Sequence, residues 1–182
     1  DNGERYLKKT AEELIVEYKS EKKKDKSLTM SQFIEKEYEK TGKINYIKRS
    51  YFANHPIEQG AWYEDVRFLD GRPYRGQVDL FVGGSPCQSY STHGKKKGLE
   101  DARGTLFYDY ARLISEMKPK VFIFENVPGM LTHDKGNTWK VIKEVFDSLG
   151  YKVYADVLNA KDYGIPQDRK RIFVVGSLVE NN

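Results

Sequence analysis

The chain has 182 residues, of which 38% are hydrophobic and 32% charged, and this balance is typical of one soluble globular domain. Its apolar runs fall well short of the roughly 20 residues of a membrane span, and its charged first segment does not have the character of a signal peptide. The single cysteine excludes an intramolecular disulfide and suits a cytoplasmic location, while the net charge of +4 is compatible with a nucleic-acid partner but not diagnostic of one.

Residues 1–42 are rich in Lys and Glu and contain no proline. Apolar residues recur at helical spacing in two stretches, which predicts a pair of helices. The two stripes consist of Leu7, Leu14, Ile15 and Tyr18, and of Met30, Phe33, Ile34 and Tyr38. We expect a solvated helical hairpin or insertion, and the alternative is a DNA contact through the lysines at positions 22–24.

From residue 43 onward, short apolar runs alternate with segments of helical spacing. Strands are predicted at 78–82, 121–124, 151–158 and 171–176, and helices at 105–117 and 137–149. This alternation predicts an α/β fold with helices on both faces of a sheet. Ligands bind beyond the carboxyl ends of the strands in such sheets, and the polar segments 85–91 and 125–129 follow two of these ends.

The cysteine follows the first of these strands. A lone cysteine is usually a small buried hydrophobe, but Cys87 leaves the strand through a Gly83-Gly84-x-Pro86 turn, which places it in a loop. It is therefore a candidate nucleophile if an acid and an electrophile lie nearby.

Two further groups follow from the same logic. Glu125 ends the next strand and would face the same crevice as Cys87, although a carboxylate that caps the following turn is the competing interpretation. Arg169 and Arg171, two residues apart, would project to one side of an extended chain. Basic runs before a strand are common, so the arginines alone are a weak signal.

Taken together, these residues form three short motifs. The motifs are Pro86-Cys87-Gln88, Glu125-Asn126-Val127 and Gln167-x-Arg169-x-Arg171. In order and spacing they resemble the DNA (cytosine-5) methyltransferase family, and most closely its bacterial restriction-modification members. The resemblance covers about residues 43–177 and is strongest from 78 to 177. It implies part of a Rossmann-like, S-adenosylmethionine-dependent methyltransferase sheet.

The resemblance also implies a mechanism of covalent catalysis on cytosine. The Cys87 thiolate would add to C6 and so make C5 nucleophilic. Glu125 would bind the exocyclic amine and the N3 edge, Arg171 would pair with O2, and Arg169 would support the site. Asn126 would brace the loop. The target base would have to leave the duplex to reach this pocket.

The methyl donor implied by the family is S-adenosylmethionine. Asp65 would accept a hydrogen bond from the adenine amino group, and Val66 would pack on the ring. Pro86 and Leu106 would complete the donor pocket.

The implied partner is double-stranded DNA, with an RNA target as the less favoured variant. Residues 89–97 resemble a loop that closes over DNA and suit phosphate contacts, although a solvated basic loop is the alternative. The residues expected to contact substrate or DNA are Gln88, Ser91, His93, Lys95, Asn126 and Gln167. The sequence contains no cluster of metal ligands.

The chain also departs from the family pattern. A glycine-rich F-x-G-x-G segment is missing, and positions 41–44 lack the acid expected to bind the donor ribose. We therefore expect residues 1–42 to be an insertion or a replacement of these donor motifs, and residues 43–182 to be a catalytic core without a target-recognition domain.

Such a core would be inactive alone and would expose a sheet edge. Self-association or a complementary methyltransferase fragment is the expected result. The alternatives are a complete but unconventional enzyme, or a non-catalytic nucleic-acid-binding or assembly module on a decayed scaffold.

Overall fold

The computed structural model of the chain describes residues 7, 9–55, 62, 63, 65–85 and 105–179. The chain divides into two compact units, Asp1–Leu69 and Asp70–Asn182. The predicted domains, residues 1–42 as an insertion or a replacement of the donor motifs and residues 43–182 as the catalytic core, stay predictions. Across the described ranges, no helix combines the length and the apolar character that a membrane crossing requires.

The first unit contains the predicted pair of helices, α1 (Ala11–Lys24) and α2 (Met30–Lys40), followed by α3 (Tyr46–Asn54). Both α1 and α2 begin with a capping box, in which a threonine and the residue three positions later satisfy each other's backbone N–H groups. A small core joins the two predicted apolar stripes. Its buried members are Leu7, Leu14, Leu28, Phe33 and Ile34.

A buried carboxylate links α2 to the residues that precede α1. The Glu37 side chain is 6% exposed and forms ion pairs with Lys40 and Lys9. The hydrogen bond from Lys40, followed by that from Lys9, lowers the pKa of Glu37 below its usual value. The charged composition of this unit therefore includes an ion-pair network around one buried carboxylate, besides its solvated surface.

The second unit is a four-stranded sheet with helices, which confirms the predicted α/β class. Its strands are β1 (Leu80–Gly83), β2 (Val121–Asn126), β3 (Tyr151–Asn159) and β4 (Lys170–Leu178). Its helices are α4 (Thr105–Met117), the single turn α5 (Gly129–Thr132) and α6 (Asn137–Ser148). The strand order is β1-β2-β4-β3; β1 and β2 are parallel, and β4 is antiparallel to both of its neighbours.

An aromatic cluster holds α4 and α6 against one face of this sheet. Phe107 and Tyr110 of α4 meet Phe124 of β2 with ring centroids 5.9 and 5.1 Å away, and Phe146 of α6 lies 4.5 Å from Phe122. All five are buried. Each such ring pair adds about 0.5–1.5 kcal/mol beyond the burial of its area.

A glycine makes room for one of these rings. Gly176 of β4 pairs with Phe122 of β2, and a Cβ placed at Gly176 would lie 2.0 Å from the Phe122 ring. The ring therefore packs directly on the backbone of the neighbouring strand.

The strand directions determine where the candidate site lies. Because β4 is antiparallel to β2 and β3, its first residues lie at the same edge of the sheet as the carboxyl ends of β1, β2 and β3. The polar residues that follow β1 and β2 and those that precede β4 therefore meet at this edge.

Candidate active site

An ion pair between β2 and β4 forms the centre of this edge. Glu125 pairs with Phe173 in the sheet register, so Arg171, two residues before Phe173, projects from the same face. The Arg171 Nε lies 2.9 Å from the Glu125 Oε1. The side chains are 25% and 39% exposed respectively, so both remain accessible to a ligand. The structure thus brings together the predicted acid and the predicted arginine.

A second N–H group of Arg171 donates back to the protein backbone. The Arg171 Nη1 donates a 2.8 Å hydrogen bond to the carbonyl oxygen of Lys170. The guanidinium is therefore held by Glu125 and by its own strand, and it still has N–H groups for an acceptor. A carboxylate beside such donors can bind a heterocycle that presents both an amine and a carbonyl oxygen.

The loop that leads toward the cysteine is joined to the end of β2. Asn126 is 2% exposed, and its Nδ2 lies 3.3 Å from both the carbonyl oxygen and the Oγ of Ser85. Its Oδ1 accepts a 2.9 Å hydrogen bond from the Val127 backbone N–H. The Asn126 amide therefore braces the first residues after β1, and Ser85 is a partner that the sequence did not reveal.

A glycine allows this close approach of the two strand ends. A Cβ placed at Gly84 would lie 2.5 Å from the Glu125 carbonyl oxygen and 3.3 Å from its Oε2. Contacts below about 3.0 Å are not sterically allowed, so any side chain at Gly84 would displace Glu125. The second position of the predicted Gly-Gly turn therefore requires glycine, because a Cβ there would overlap Glu125.

Several predicted site residues lie outside the described residues. They are Pro86, Cys87, Gln88, Ser91, His93 and Lys95. Their roles as nucleophile, donor contact or DNA contacts stay predictions.

The remaining predicted residues of the basic motif lie in the segment that enters β4. Gln167 and Arg169 are exposed. The Arg169 backbone N–H donates a 3.1 Å hydrogen bond to the Oδ1 of Asn159, and the Arg169 carbonyl oxygen accepts from the Ala160 N–H at 3.0 Å. These bonds fix the backbone of Arg169 but leave its side chain exposed.

Asn159, at the end of β3, is a residue to which the sequence analysis gave no role. It is 5% exposed, and its Nδ2 donates a 2.7 Å hydrogen bond to the Oδ1 of Asp168. This hydrogen bond, with the charge of Lys161 as a smaller cause, lowers the pKa of Asp168. Asparagine directly before a helical turn is a capping signal, and Asn159 does cap the turn that follows β3.

The predicted adenine contacts lie in the first unit. The Asp65 carboxylate accepts hydrogen bonds from the Arg67 backbone N–H at 3.0 Å, from its Nε at 2.9 Å and from its Nη2 at 2.5 Å. Val66 beside it is 38% exposed, whereas Leu106, in the second unit, is half-buried in α4. Arg67 is a second partner that the sequence analysis did not identify.

Within the described ranges, no group of three His, Cys, Asp or Glu side chains is placed to hold a metal ion.

Comparison with known proteins identifies sequences similar to this chain. The profile of the family described as C-5 cytosine-specific DNA methylase matches residues 27–182. The chain is 51% identical over 131 residues to the type II methyltransferase M.SsoII of Shigella sonnei, an alignment that covers 72% of this chain and 34% of that protein. It is 53% identical over 97 residues to the type II methyltransferase M.HhaI of Haemophilus parahaemolyticus, which covers 53% of this chain and 30% of that protein. The chain thus spans about a third of the length of these relatives.

A solved structure supports the fold. The methyltransferase EhMeth of Entamoeba histolytica matches with a TM-score of 0.55 at 20% identity, over 76% of this chain and 43% of that one. At this identity the likeness concerns the fold alone, and it confirms the expected methyltransferase sheet.

Proposed function

The chain belongs to the C-5 cytosine-specific DNA methylase family, and on this premise we propose that it carries the base-binding and nucleophilic part of a restriction-modification methylase. The reaction is transfer of a methyl group from S-adenosylmethionine to C5 of cytosine in DNA. The observation that supports this proposal most directly is the half-buried Glu125–Arg171 pair at the carboxyl edge of the sheet.

The two side chains match the hydrogen-bonding edge of cytosine. Cytosine presents an amine at C4, a ring nitrogen at position 3 and a carbonyl oxygen at C2. Glu125 accepts from the amine and shares a proton with N3, and Arg171 donates to O2, with Arg169 in support. Their ion pair already holds the carboxylate and the guanidinium side by side, as this recognition requires.

The nucleophile in this proposal is Cys87, two residues after Ser85. Its thiolate forms a bond to C6, the C5–C6 electron pair moves into the ring, and the negative charge is neutralised at N3 by the proton shared with Glu125. C5 then takes the methyl group, with S-adenosylhomocysteine as the leaving group. A base removes the C5 proton, the thiolate departs and the N3 proton returns to Glu125, which restores the aromatic ring. The brace from Asn126 holds Ser85, which ends the described segment after β1.

S-adenosylmethionine supplies an electrophilic methyl group to this chemistry. We propose that Asp65 and Val66 contact its adenine, and that Pro86 and Leu106 are further contacts to the donor. Both oxygens of the Asp65 carboxylate accept from Arg67 in the structure, so an adenine amino group would have to share or displace these donors, whereas the exposed Val66 side chain is available to the ring. Arg67 keeps the Asp65 carboxylate in one orientation.

Double-stranded DNA is the proposed substrate. Gln88, Ser91, His93, Lys95, Asn126 and Gln167 are the proposed contacts to substrate or DNA. Asn126 would act through its brace, since its amide is buried. The target base leaves the helix, because neither C6 nor the N3 edge can be reached inside a duplex.

We further propose that the chain works in an assembly. Within the part of the chain that the structure describes, β1 pairs only with β2, and its side chains Leu80 and Val82 are 52% and 60% exposed. A strand with a free edge and exposed apolar side chains is a site for pairing with another strand. A second copy or a complementary methyltransferase fragment would cover it, and the chain alone would be inactive.

The test is mass spectrometry of the covalent complex between the chain and a duplex whose cytosines carry fluorine at C5. Fluorine cannot leave C5 as a cation, so the bond to Cys87 persists once the methyl group is transferred. With S-adenosylmethionine at high chain concentration, which favours association, we expect an adduct with one added methyl. Glu125→Gln should lower its yield about 100-fold, as for loss of an acid–base group.

Cys87→Ser should abolish the adduct, whereas Glu144→Gln, a change at an exposed position of α6, should leave it unchanged. DNA binding without any adduct, at every chain concentration and with complementary fragments added, would contradict the proposal. That result would favour a non-catalytic binding or assembly module instead.

A further inference from the structure

The segment between β3 and β4 is closed by one buried amide. Asn159 ends β3 and pairs with Lys170, the first residue of β4, so the ten residues from 160 to 169 leave the sheet and return to it at the same place. The side chain of Asn159 is turned into this excursion, and the residue is 5% exposed.

Every polar atom of that amide has a partner in the segment. The Oδ1 accepts from the backbone N–H of Arg169 at 3.1 Å and of Lys161 at 3.4 Å, and the Nδ2 donates to Asp168 at 2.7 Å. The Ala160 N–H also donates to the Arg169 carbonyl oxygen at 3.0 Å. Both ends of the excursion are thus held by a single side chain.

The residues fixed in this way lead directly into the site. Arg169 is held through its N–H and its carbonyl oxygen, and Arg171 follows two residues later with its guanidinium on Glu125. We infer that Asn159 is a positioning residue, which sets the backbone from Asp168 to Arg171 and thereby directs the Arg171 guanidinium at Glu125. The catalytic relevance of this orientation rests on the function proposed above.

The test measures the hydrogen exchange rate of the Arg171 Nε–H by NMR, in the full chain without donor or DNA. The signal is identified by its loss in Arg171→Lys. In the wild-type chain the Arg171 Nε lies 2.9 Å from the Glu125 Oε1, and we expect this ion pair to protect the proton. In Asn159→Ala the Arg169 N–H loses its hydrogen bond to the side chain at position 159. We expect exchange to become about tenfold faster, because one well-placed hydrogen bond no longer holds the backbone that orients Arg171.

A charge-swapped pair of substitutions provides the rescue. Asn159→Asp alone would face the Asp168 carboxylate, and exchange should again be fast. Asn159→Asp combined with Asp168→Asn reverses the donor and the acceptor, and the new carboxylate at position 159 can still accept from Arg169 and Lys161. The double variant should return to within about twofold of the wild-type rate.

Thr138→Ala is the matched control. Thr138 is also a buried polar residue, and it makes a 2.7 Å hydrogen bond to His133 at the start of α6. Its loss should lower stability without changing the Arg171 exchange rate. A rate in Asn159→Ala within twofold of wild type, an equal increase in Thr138→Ala, or no recovery in the double variant would overturn the inference. The measurement needs no methyl transfer, so failure of the proposed reaction would not alter it.

Discussion

Individual side chains at the carboxyl edge of the sheet combine burial with complete hydrogen bonding. Asn126 is 2% exposed, and both its oxygen and its nitrogen have partners, in Val127 and Ser85. Glu125 and Arg171, by contrast, stay partly exposed and have capacity for a ligand. The edge therefore contains a rigid support beside a pair of groups that remain available.

The support at Asn126 gives the first prediction. Asn126→Ala should lower the free energy of unfolding by about 1–3 kcal/mol, because the Ser85 carbonyl oxygen loses its buried donor. Asn126→Asp should cost more near pH 7, since a carboxylate would face that oxygen. Burial raises the pKa of such a carboxyl group, and its protonated form can donate, so the extra cost should shrink as the pH falls through the raised pKa. Urea denaturation of both variants across this pH range measures the effect; a pH-independent difference would contradict it.

At the scale of elements, β4 determines how the sheet and the site are related. Its Gly176 lets the Phe122 ring pack on the strand, and its first residues deliver Arg171 to Glu125. The β3–β4 excursion is held to the same strand by Asn159. Residues of β4 thus contribute both to packing in the core and to the geometry of the candidate site.

The contact between Gly176 and Phe122 gives the second prediction. Gly176→Ala should lower the free energy of unfolding by about 1–3 kcal/mol, because the new methyl group would overlap the ring. In the double variant with Phe122→Leu, part of this loss should be recovered, with a coupling energy of about 0.5–3 kcal/mol. A double-mutant cycle by chemical denaturation measures this coupling, and strict additivity would rule the steric explanation out.

The Asp168 carboxyl group gives the third prediction. Its hydrogen bond from Asn159, aided by Lys161, lowers its pKa below the ordinary value of 3.8. A lowered pKa in the folded state means that the carboxylate stabilises the fold above pH 3.8, and that this contribution is lost as the pH falls through the lowered pKa. Asp168→Asn removes the titration. The stability difference between wild type and Asp168→Asn, measured by urea denaturation, should therefore shrink on acidification, and a constant difference would refute this.

The sequence predicted much of this architecture because the relevant signals are local. The helical stripes, the apolar strands and the polar residues at strand ends are each read within a few positions, and Glu125 and Arg171 do meet as their motifs imply. The partners Ser85 and Asn159 were missed, because their roles depend on which other segments the folded chain brings into hydrogen-bonding distance. Arg67 was missed although it lies only two residues from Asp65, because basic residues beside acidic ones are common and do not by themselves indicate a bidentate pair. The side on which α4 and α6 pack also depends on the whole sheet.

At the scale of the whole molecule, the sheet of the second unit has two edge strands, which are distinct from the carboxyl ends where the candidate site lies. Within the described residues, β1 forms one edge and β3 the other. Val82 on β1 is 60% exposed and Tyr154 on β3 is 71% exposed. Similar side chains thus lie at both edges, and only the β1 edge adjoins the segment that leads to Cys87.

These two edges give the fourth prediction. If β1 is the pairing edge, Val82→Lys should reduce self-association, or capture of a complementary fragment, because a charged side chain at an edge disfavours strand pairing. Tyr154→Lys is the matched control on β3 and should leave association unchanged. Sedimentation velocity over a range of concentrations measures this. Equal effects of the two substitutions, or none, would exclude β1 as the interface.

The strand order has a consequence for synthesis of the chain on the ribosome. β4 comes after β3 in the sequence but lies between β2 and β3 in the sheet. As the chain emerges, β2 and β3 therefore precede the strand that must lie between them, and Arg171, the counter-ion of Glu125 among the described residues, is translated last. The ion pair forms only after this late insertion. A nascent chain that ends before β4 would therefore contain Glu125 without the arginine that lies beside it in the folded sheet.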